Sequence, residues 1–322
     1  MSNVDDMATP VASAIVEKTD SHFHALGKNR LGLYLTLPAQ ILVLFIALFP
    51  LLMQLYISLT DWTPLTGVRW PQAYQLWSGL ANYADLLDDD RFYGALWRTF
   101  FIIIVAVPIE FFLGLAMALL FMDEFPAKRL FYSALLVPMM IVPAVAGYMF
   151  FLLFQSGGPV NQLLSLALGT KVAISWLSDP DLALAAVIIS DIWQWTPLMF
   201  LILLAGLLGV PSEQLKAATL LGASPGQKFL TILLPKIKAI MVIALAIRTI
   251  ELFKIFDTLY IMTAGGPGVA TETISVFIFK ITTQELVWGY VAALALLILF
   301  TLSVIAGLAM YFLQRKKREV AA

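Results

Sequence analysis

The chain has 322 residues, of which 61% are hydrophobic and 13% charged, and its mean hydropathy is +0.89. Because soluble domains carry about 25% charged residues, this composition excludes a soluble protein and predicts an all-α polytopic membrane protein whose outer surface is covered by the lipid bilayer. The net charge of −1 gives no sign of nucleic-acid binding, and the lack of cysteine excludes disulfides, thiolate chemistry and cysteine-based metal sites.

Six apolar stretches are long enough to cross a bilayer, which takes about 20 residues of helix. They cover approximately residues 33–59, 99–122, 130–154, 182–208, 237–262 and 288–313. We therefore predict a domain of six transmembrane helices over residues 31–314, between a polar tail of residues 1–30 and a basic tail of residues 315–322. Pro138 and Pro143 lie inside the third span, where a membrane helix tolerates proline if its neighbours satisfy the freed carbonyl groups.

The polar loop over residues 61–98 carries Trp62, Trp70 and Trp77, which suit a membrane–water boundary. Its acidic run, residues 88–90, has two interpretations, a calcium site or a solvated turn. The turn is favoured, because no ligand cage is spaced around the three aspartates.

A different pattern occupies residues 209–235, between the fourth and fifth spans. Pro211 and Ser212 are typical of a helix start, and Ala218 and Gly222 lie at helical spacing on one narrow face. The run Ser224–Pro225–Gly226 then breaks the chain before a second short helix over residues 229–234. The segment is predicted to be a helix–turn–helix outside the bilayer, with a small-residue face.

The spacing of Pro211, Ala217, Ala218, Gly222, Ala223, Phe229 and Pro235 resembles the "EAA" loop of ABC-importer permeases. The resemblance implies a cytoplasmic coupling helix that docks on an ATPase. The implied docking residues are Pro211, Leu215, Lys216, Ala217, Ala218, Gly222, Ala223 and Phe229. Lys216 and Leu221 stand where the family usually has acidic residues, so no ion pair is carried over from it. The alternative is an ordinary amphipathic loop helix.

The distribution of Lys and Arg gives an orientation. Thirteen of the 20 basic residues flank the spans on the side of the two tails and of residues 209–235, and five flank them on the opposite side. By the positive-inside rule, both termini and residues 209–235, called the docking segment below, are predicted to be cytoplasmic.

A second motif begins at Phe256–Asp257 and continues through Tyr260 and Thr263 to Gly265–Gly266–Pro267 and Thr271. It resembles the "FD-x-x-Y-x-x-T-x-GGP-x-x-x-T" signature of carbohydrate permeases. Asp257, Gly265, Gly266 and Pro267 are its predicted outer-loop residues. A further segment, residues 79–92, resembles the sequence that precedes the core spans in sugar permeases.

Together these resemblances imply a permease subunit of a bacterial ABC importer for a sugar, glycoside or polyol, located in the cytoplasmic (inner) membrane. They imply three kinds of partner: a second homologous permease, an ATP-binding cassette ATPase dimer and an extracytoplasmic solute-binding protein. The implied mechanism is alternating access. Which carbohydrate is carried stays open at this point.

Charged residues within the spans point to a substrate pathway. Each costs about 2.5–3.5 kcal/mol at a helix centre on insertion scales, so it should face protein or a wet cavity. Aromatic faces beside hydrogen-bonding groups suit sugar rings. The candidates are Asp191, Trp193, Gln194, Trp195, Arg248, Glu251, Leu252 and Lys254. The alternative for Arg248, Glu251 and Lys254 is an internal ion-pair ladder or a link to the partner subunit. Glu110 is expected to be a helix-packing contact.

No phosphate-binding loop of the form GxxxxGK[ST] is present; residues 222–228 have the wrong spacing and no following Ser or Thr. The chain is therefore predicted not to be an enzyme and to bind no cofactor or metal, while ATP and magnesium are used by the partner ATPase subunits. The alternative function is an ion-coupled secondary transporter or channel. An intramembrane enzyme is a third, but only isolated carboxylates are present in the spans.

Overall fold

The computed structural model of the chain describes the backbone of residues 28–321 and the side chains of residues 34–304 and Gly307. Within these residues the regular structure is helical, and Thr60 and Trp77 form an isolated β-bridge. The all-α fold is therefore confirmed for this part of the chain. Most of the predicted N-terminal tail, residues 1–27, lies outside the described residues.

Twelve helices in the described range are used below. They are α1 (Lys28–Ser58), α2 (Ala81–Leu87), α3 (Asp90–Leu120), α4 (Lys128–Met140), α5 (Pro143–Leu153), α6 (Pro159–Leu168), α7 (Pro180–Leu208), α8 (Ser212–Leu220), α9 (Pro225–Phe253), α10 (Asp257–Thr263), α11 (Ile274–Lys280) and α12 (Trp288–Ala321). Short 3-10 turns occupy Pro64–Thr66 and Trp70–Leu76, and π-helical turns occupy Phe229–Leu233 and Ile281–Glu285.

Among the described residues, four helices are long and apolar enough to cross a membrane: α1, α3, α7 and α9. The bent pair α4–α5 makes five if it counts as one span. In α12, the apolar stretch whose side chains are described is Trp288–Val304, which is shorter than the 18 residues required of a candidate span.

The third predicted span is not a single helix. α4 and α5 meet at 95°, with the break between Met140 and Pro143. Ile141 and Val142 both have ψ near 130°, outside the helical region. Proline disfavours helical geometry in the residue before it, and Pro143 is well suited to the first turn of the following helix. The prediction of a continuous helix over residues 130–154 is therefore wrong.

Two other span boundaries differ from the prediction. α3 begins at Asp90 rather than near residue 99, because Asp89 caps it by accepting hydrogen bonds from the backbone N–H groups of Arg91 and Phe92. This capping role accounts for one carboxylate of the acidic run 88–90. The helix of the predicted fifth span, α9, ends at Phe253 rather than at residue 262, since the chain turns there and begins the separate helix α10.

The docking segment also differs in its second half. Its first helix, α8, forms as predicted and is followed by Gly222, which has φ +80°, and by the Ser224–Gln227 capping box. The second helix is not short and separate. It starts at Pro225 and continues without a break into the fifth span, through a π-helical turn at Phe229–Leu233.

The first of two compact units comprises residues 28–82 and 288–321. In it α1 packs against α12, with a small core of Ile57, Ala73 and Ala292. The buried Asn82 side chain donates hydrogen bonds to the carbonyl groups of Ser58 and Thr60 at the end of α1. Within residues 79–92, the segment that resembles sugar permeases, Asn82 therefore has a structural role at the end of α1.

The second unit comprises residues 83–287 and contains the main hydrophobic core. Its centre is the contact of α3 with α7, which α9 covers. The two backbones approach closely at Gly114, where an added Cβ would lie 2.9 Å from the Phe200 nitrogen. α10 packs in the same way on Gly147 of α5. Both cavities described below lie in this unit.

Candidate functional site

A cluster of three buried ionic side chains joins α3, α7 and α9. The Arg248 guanidinium donates from Nε to Glu110 Oε2 at 2.6 Å and from Nη2 to Glu110 Oε1 at 2.9 Å. The same Nη2 donates to Asp191 Oδ2 at 2.7 Å. Arg248 is 1% exposed and Glu110 0%, so the bonds replace water around these groups. Two carboxylates and one guanidinium make this cluster formally −1.

The partners of Arg248 differ from those predicted. Glu110, expected to be a packing contact, is an ion-pair partner as well, although it lies 138 residues away in sequence. The alternative of an ion-pair ladder along α9 is wrong for Arg248, because the Arg248 side chain bonds to Glu110 on α3 and to Asp191 on α7. Of the predicted ladder, only the pair Glu251–Lys254 forms; Lys254 Nζ and Glu251 Oε1 lie 3.4 Å apart, and both residues are exposed.

A cavity of about 210 Å³ opens beside this cluster and brings most of the predicted pathway residues together. We call it the charged cavity. Its lining includes Asp191, Trp195, Arg248, Glu251, Leu252 and Lys254. The Arg248 guanidinium carbon lies 5.3 Å from the centroid of the Trp195 ring, within range of a cation–π interaction. An aromatic face, exposed charges and a buried ion cluster thus meet at one place.

Two predicted pathway residues do not line the charged cavity. Trp193 packs edge-on against Phe150, with ring centroids 5.3 Å apart. Gln194 is fully buried, and its side-chain amide donates a 2.8 Å hydrogen bond to the Ile141 carbonyl. That carbonyl lies at the break between α4 and α5, where no helical hydrogen bond is available to it. Gln194 therefore stabilises the bend.

Other lining residues were missed by the sequence reasoning because they come from short elements on either side of chain breaks. Pro143 begins α5, and Ile255, Phe256 and Thr258 surround the start of α10. Asp257 was predicted to belong to the outer-loop signature, and it too lines the charged cavity. The carbohydrate-permease signature is thus divided between the two ends of α10.

The far end of α10 carries the rest of that signature, the turn at Gly265–Pro267. Gly265 has φ +84°, a conformation that favours glycine. The Thr263 and Thr271 hydroxyls lie 2.6 Å apart, and Thr271 donates to the Gly266 carbonyl at 2.9 Å. The turn is thus closed by its own threonines.

A second ionic cluster holds the residue after this turn. Glu272 is fully buried and accepts hydrogen bonds from Arg91 Nε at 2.8 Å and from Lys280 Nζ at 2.9 Å. Burial by itself raises the pKa of the Glu272 carboxyl, but the bonds from Arg91 and Lys280 outweigh it and hold the pKa below its ordinary value. The sequence did not predict these partners, because Arg91 lies 181 residues away from Glu272 along the chain.

The docking segment presents an open surface. None of the residues of α8 is buried, and Leu220 and Leu221 are 89% and 88% exposed. Leu215, Lys216 and Thr219 line a shallow groove with Leu220. The remaining predicted docking residues are half-buried or exposed: Pro211, Ala217, Ala218, Gly222, Ala223 and Phe229. Leu220 and Leu221 therefore lie side by side on an open surface of the described chain.

Among the described residues, no group of three or more His, Asp or Glu side chains is arranged to hold a metal ion. The buried carboxylates Glu110, Asp191 and Glu272 are all engaged by basic side chains.

Comparison with known proteins identifies the family of the chain. Residues 80–319 match the family model described as binding-protein-dependent transport system inner membrane component. A sulfoquinovosyl glycerol transport system permease protein of Agrobacterium fabrum is 35% identical over 86% of this chain and 88% of its own. A trehalose/maltose transport system permease protein of Thermococcus litoralis is 33% identical over 78% of this chain and 83% of its own.

Solved structures share the fold. A chain of a bacterial alginate ABC transporter, solved in complex with an alginate pentasaccharide-bound periplasmic protein, superposes with a TM-score of 0.70. It covers 85% of this chain and 91% of its own at 19% identity. At that identity the likeness establishes the architecture of the helices and no more.

Proposed function

Because this chain belongs to the family of binding-protein-dependent transport system inner membrane components, we propose that it is the permease subunit of a bacterial ATP-driven importer for carbohydrates. Its relatives at 33–35% identity are named as permeases for a sulfoquinovosyl glycerol and for trehalose or maltose. The single observation that carries the proposal is the charged cavity, in which six of the eight predicted pathway residues meet.

The proposed topology has six spans: α1, α3, the bent pair α4–α5, α7, α9 and α12. The excess of Lys and Arg on one side supports cytoplasmic termini and a cytoplasmic α8. The bend in the third span is compatible with a membrane position, because Gln194 satisfies the Ile141 carbonyl that the break leaves free.

α8 is proposed to be the coupling helix. Its exposed leucines and small residues Ala217 and Ala218 suit close contact with a cleft on an ATP-binding cassette subunit. ATP and magnesium would be bound by a dimer of those subunits, and a second, homologous permease would complete the translocation path. A solute-binding protein would deliver the carbohydrate on the opposite side of the membrane.

The helix after α8, α9, runs from the docking segment into the proposed fifth span, and it offers a route by which a movement of α8 reaches the charged cavity. α9 starts in the docking segment at Pro225, carries Arg248 and Glu251 near its other end, and is followed directly by Lys254. A displacement of α8 by the ATPase would therefore reach the charged cavity through one helix. ATP acts by favouring one of two arrangements of the helices.

A substitution on α8 tests the coupling. Ala217→Asp places a charge at an exposed alanine of α8, and its matched control, Ala167→Asp, changes an exposed alanine of the short helix α6. In proteoliposomes with the partner subunits and binding protein, ATP-driven carbohydrate uptake should fall about 100-fold for Ala217→Asp, the upper range of coupling effects. The control should match wild type.

Membrane insertion of both variants is checked by their yield in the purified complex. Normal uptake by Ala217→Asp would contradict the docking role. Uptake that needs an ion gradient and no ATPase subunit would instead support the secondary-transporter alternative.

A further inference from the structure

A second cavity in residues 83–287, of about 470 Å³, is larger than the charged cavity and shares no residue with it. We call it the uncharged cavity, because none of its lining residues is ionisable. Aromatic rings and uncharged polar groups both line it. These residues include Phe151, Phe154, Trp176, Gln155, Ser175 and Thr263.

One wall is fixed by the buried side chain of Asn161, which is 1% exposed. Its amide nitrogen donates to the carbonyl groups of Ser156 at 2.9 Å and Ile174 at 2.8 Å. Its Oδ1 accepts a 3.0 Å bond from the Trp176 indole nitrogen. The Trp176 ring also packs on Phe154, with centroids 5.4 Å apart. The indole is therefore held in one orientation.

The other wall is the end of α10 and the turn that follows it. Thr263, Gly266 and Pro267 line the cavity, and the Thr263–Thr271–Gly266 hydrogen bonds hold their backbone in place. A cavity with both walls fixed before a ligand arrives loses little conformational entropy on binding.

These features match one ligand chemistry. The volume lies within the roughly 300–1,000 Å³ typical of small-molecule sites. The C–H face of a pyranose ring packs on aromatic rings, and its hydroxyl groups exchange hydrogen bonds with Ser, Thr, Gln and backbone groups. An anionic or cationic ligand would find no opposite charge in this lining, so burial would cost it solvation without compensation. We propose that the uncharged cavity binds a neutral pyranoside.

The position of the cavity links it to the charged one. α5 begins with Pro143 in the charged cavity and supplies Phe151 to the uncharged cavity. α10 begins with Asp257 in the former and ends with Thr263 in the latter, a length of about 10 Å at 1.5 Å per residue. The proposed pyranoside site thus lies next to the charged cavity, at the opposite ends of α5 and α10.

The test measures binding rather than transport. The complete complex, with its permease and ATPase partners but without the binding protein, is placed in nanodiscs, and methyl α-D-glucopyranoside is titrated by saturation-transfer NMR. Binding with a Kd of about 1 mM is expected. The same glycoside oxidised to its uronate should bind at least about tenfold more weakly. Equal binding of the two would overturn the neutral class.

A pair of variants locates the site. Ser175→Trp fills the cavity from a side chain outside the Asn161 network, and Ala173→Trp changes an exposed neighbour that does not line it. The first should weaken glucoside binding at least about tenfold and the second less than about twofold. Unchanged ATPase activity shows that both complexes are folded.

Each contrary result has a distinct meaning. No glucoside binding by wild type, or equal binding by Ser175→Trp, overturns the second site, whereas ATP-driven uptake measured separately would leave the proposed function standing. Loss of binding in Lys254→Gln instead of Ser175→Trp would assign the sugar to the charged cavity alone. If Ser175→Trp abolishes only association with the binding protein, the cavity holds a protein segment and the proposal is wrong.

Discussion

The charged and uncharged cavities lie at opposite ends of α5 and α10, yet they are held in place by different kinds of interaction. At the charged cavity the side chains of Glu110, Asp191 and Arg248 join three long helices through buried ion pairs. At the uncharged cavity a single amide, Asn161, fixes a wall made from a short stretch of chain. Ion pairs between distant segments hold the charged cavity, whereas each wall of the uncharged cavity is held by hydrogen bonds within its own short stretch of chain.

The difference matters for what each cavity can do. The buried ion pairs tie the charged cavity, of about 210 Å³, to the packing of the bundle, so its size depends on the arrangement of α3, α7 and α9. Each wall of the uncharged cavity, of about 470 Å³, is held by hydrogen bonds within its own stretch of chain, residues 156–176 and 263–271. A movement of α3, α7 and α9 relative to one another should therefore change the charged cavity directly, whereas it reaches the uncharged cavity only if it shifts α5 against α10.

The largest expected effect comes from removing the charge that holds the three helices. Arg248→Ala leaves two buried carboxylates facing each other, and breaking such a pair costs about 3–5 kcal/mol. Thermal unfolding of the complex in detergent should show a strongly lowered Tm. The triple variant Arg248→Met, Glu110→Leu, Asp191→Leu should recover much of the loss, because no uncompensated charge remains. A Tm of Arg248→Ala equal to wild type would mean that the cluster does not hold the bundle.

A smaller effect is expected at Glu272, beyond the turn that forms one wall of the uncharged cavity. Its pKa is lower in the folded protein than in the unfolded chain, so its ionised form stabilises the fold above the ordinary glutamate pKa of about 4.3, and this stability is lost as the pH falls through the folded pKa. Glu272→Gln should cost about 2 kcal/mol at pH 7, the range for hydrogen bonds to charged groups.

The measurement is the Tm of wild type and Glu272→Gln as a function of pH. The two curves should converge as the pH is lowered below about 4. Glu285→Gln is the control, since that carboxylate is exposed and bonded to the same Arg91. A difference between wild type and Glu272→Gln that stays constant with pH would contradict the assignment.

The smallest effect concerns the bend beside the charged cavity. Gln194→Leu removes the donor to the Ile141 carbonyl and should destabilise the protein by about 1 kcal/mol. Gln162→Leu removes a similar amide-to-carbonyl bond at an exposed position and should cost less than about 0.5 kcal/mol. The Tm values of the two complexes give the comparison. Equal losses would indicate that burial of Gln194 adds nothing to the bend.

Much of the fold could be predicted from contiguous stretches of sequence. Apolar runs of sufficient length located α1, α3, α7 and α9, because the length that crosses a bilayer is a local property. The start of α8 and the break after Gly222 followed from proline, glycine and serine. The motif spacings led to the family that the comparison with known proteins then established.

Boundaries were predicted less well, for identifiable reasons. The 95° bend before Pro143 and the end of α9 at Phe253 lie inside apolar runs, where composition does not change although the backbone does. The early start of α3 depends on the Asp89 cap, whose carboxylate also belongs to an acidic run that suggested a loop.

By itself the sequence determined that this is a helical membrane protein of a transport family, with an exposed segment between two spans and candidate residues on α7 and α9. Only the tertiary structure decided which of those residues meet. Arg248 pairs with carboxylates 138 and 57 residues away. The signature that begins at Phe256 contributes lining residues to both cavities. The physical reason is that periodicity along one helix reports which face is apolar, whereas the partner of a buried charge depends on how separate helices pack against one another.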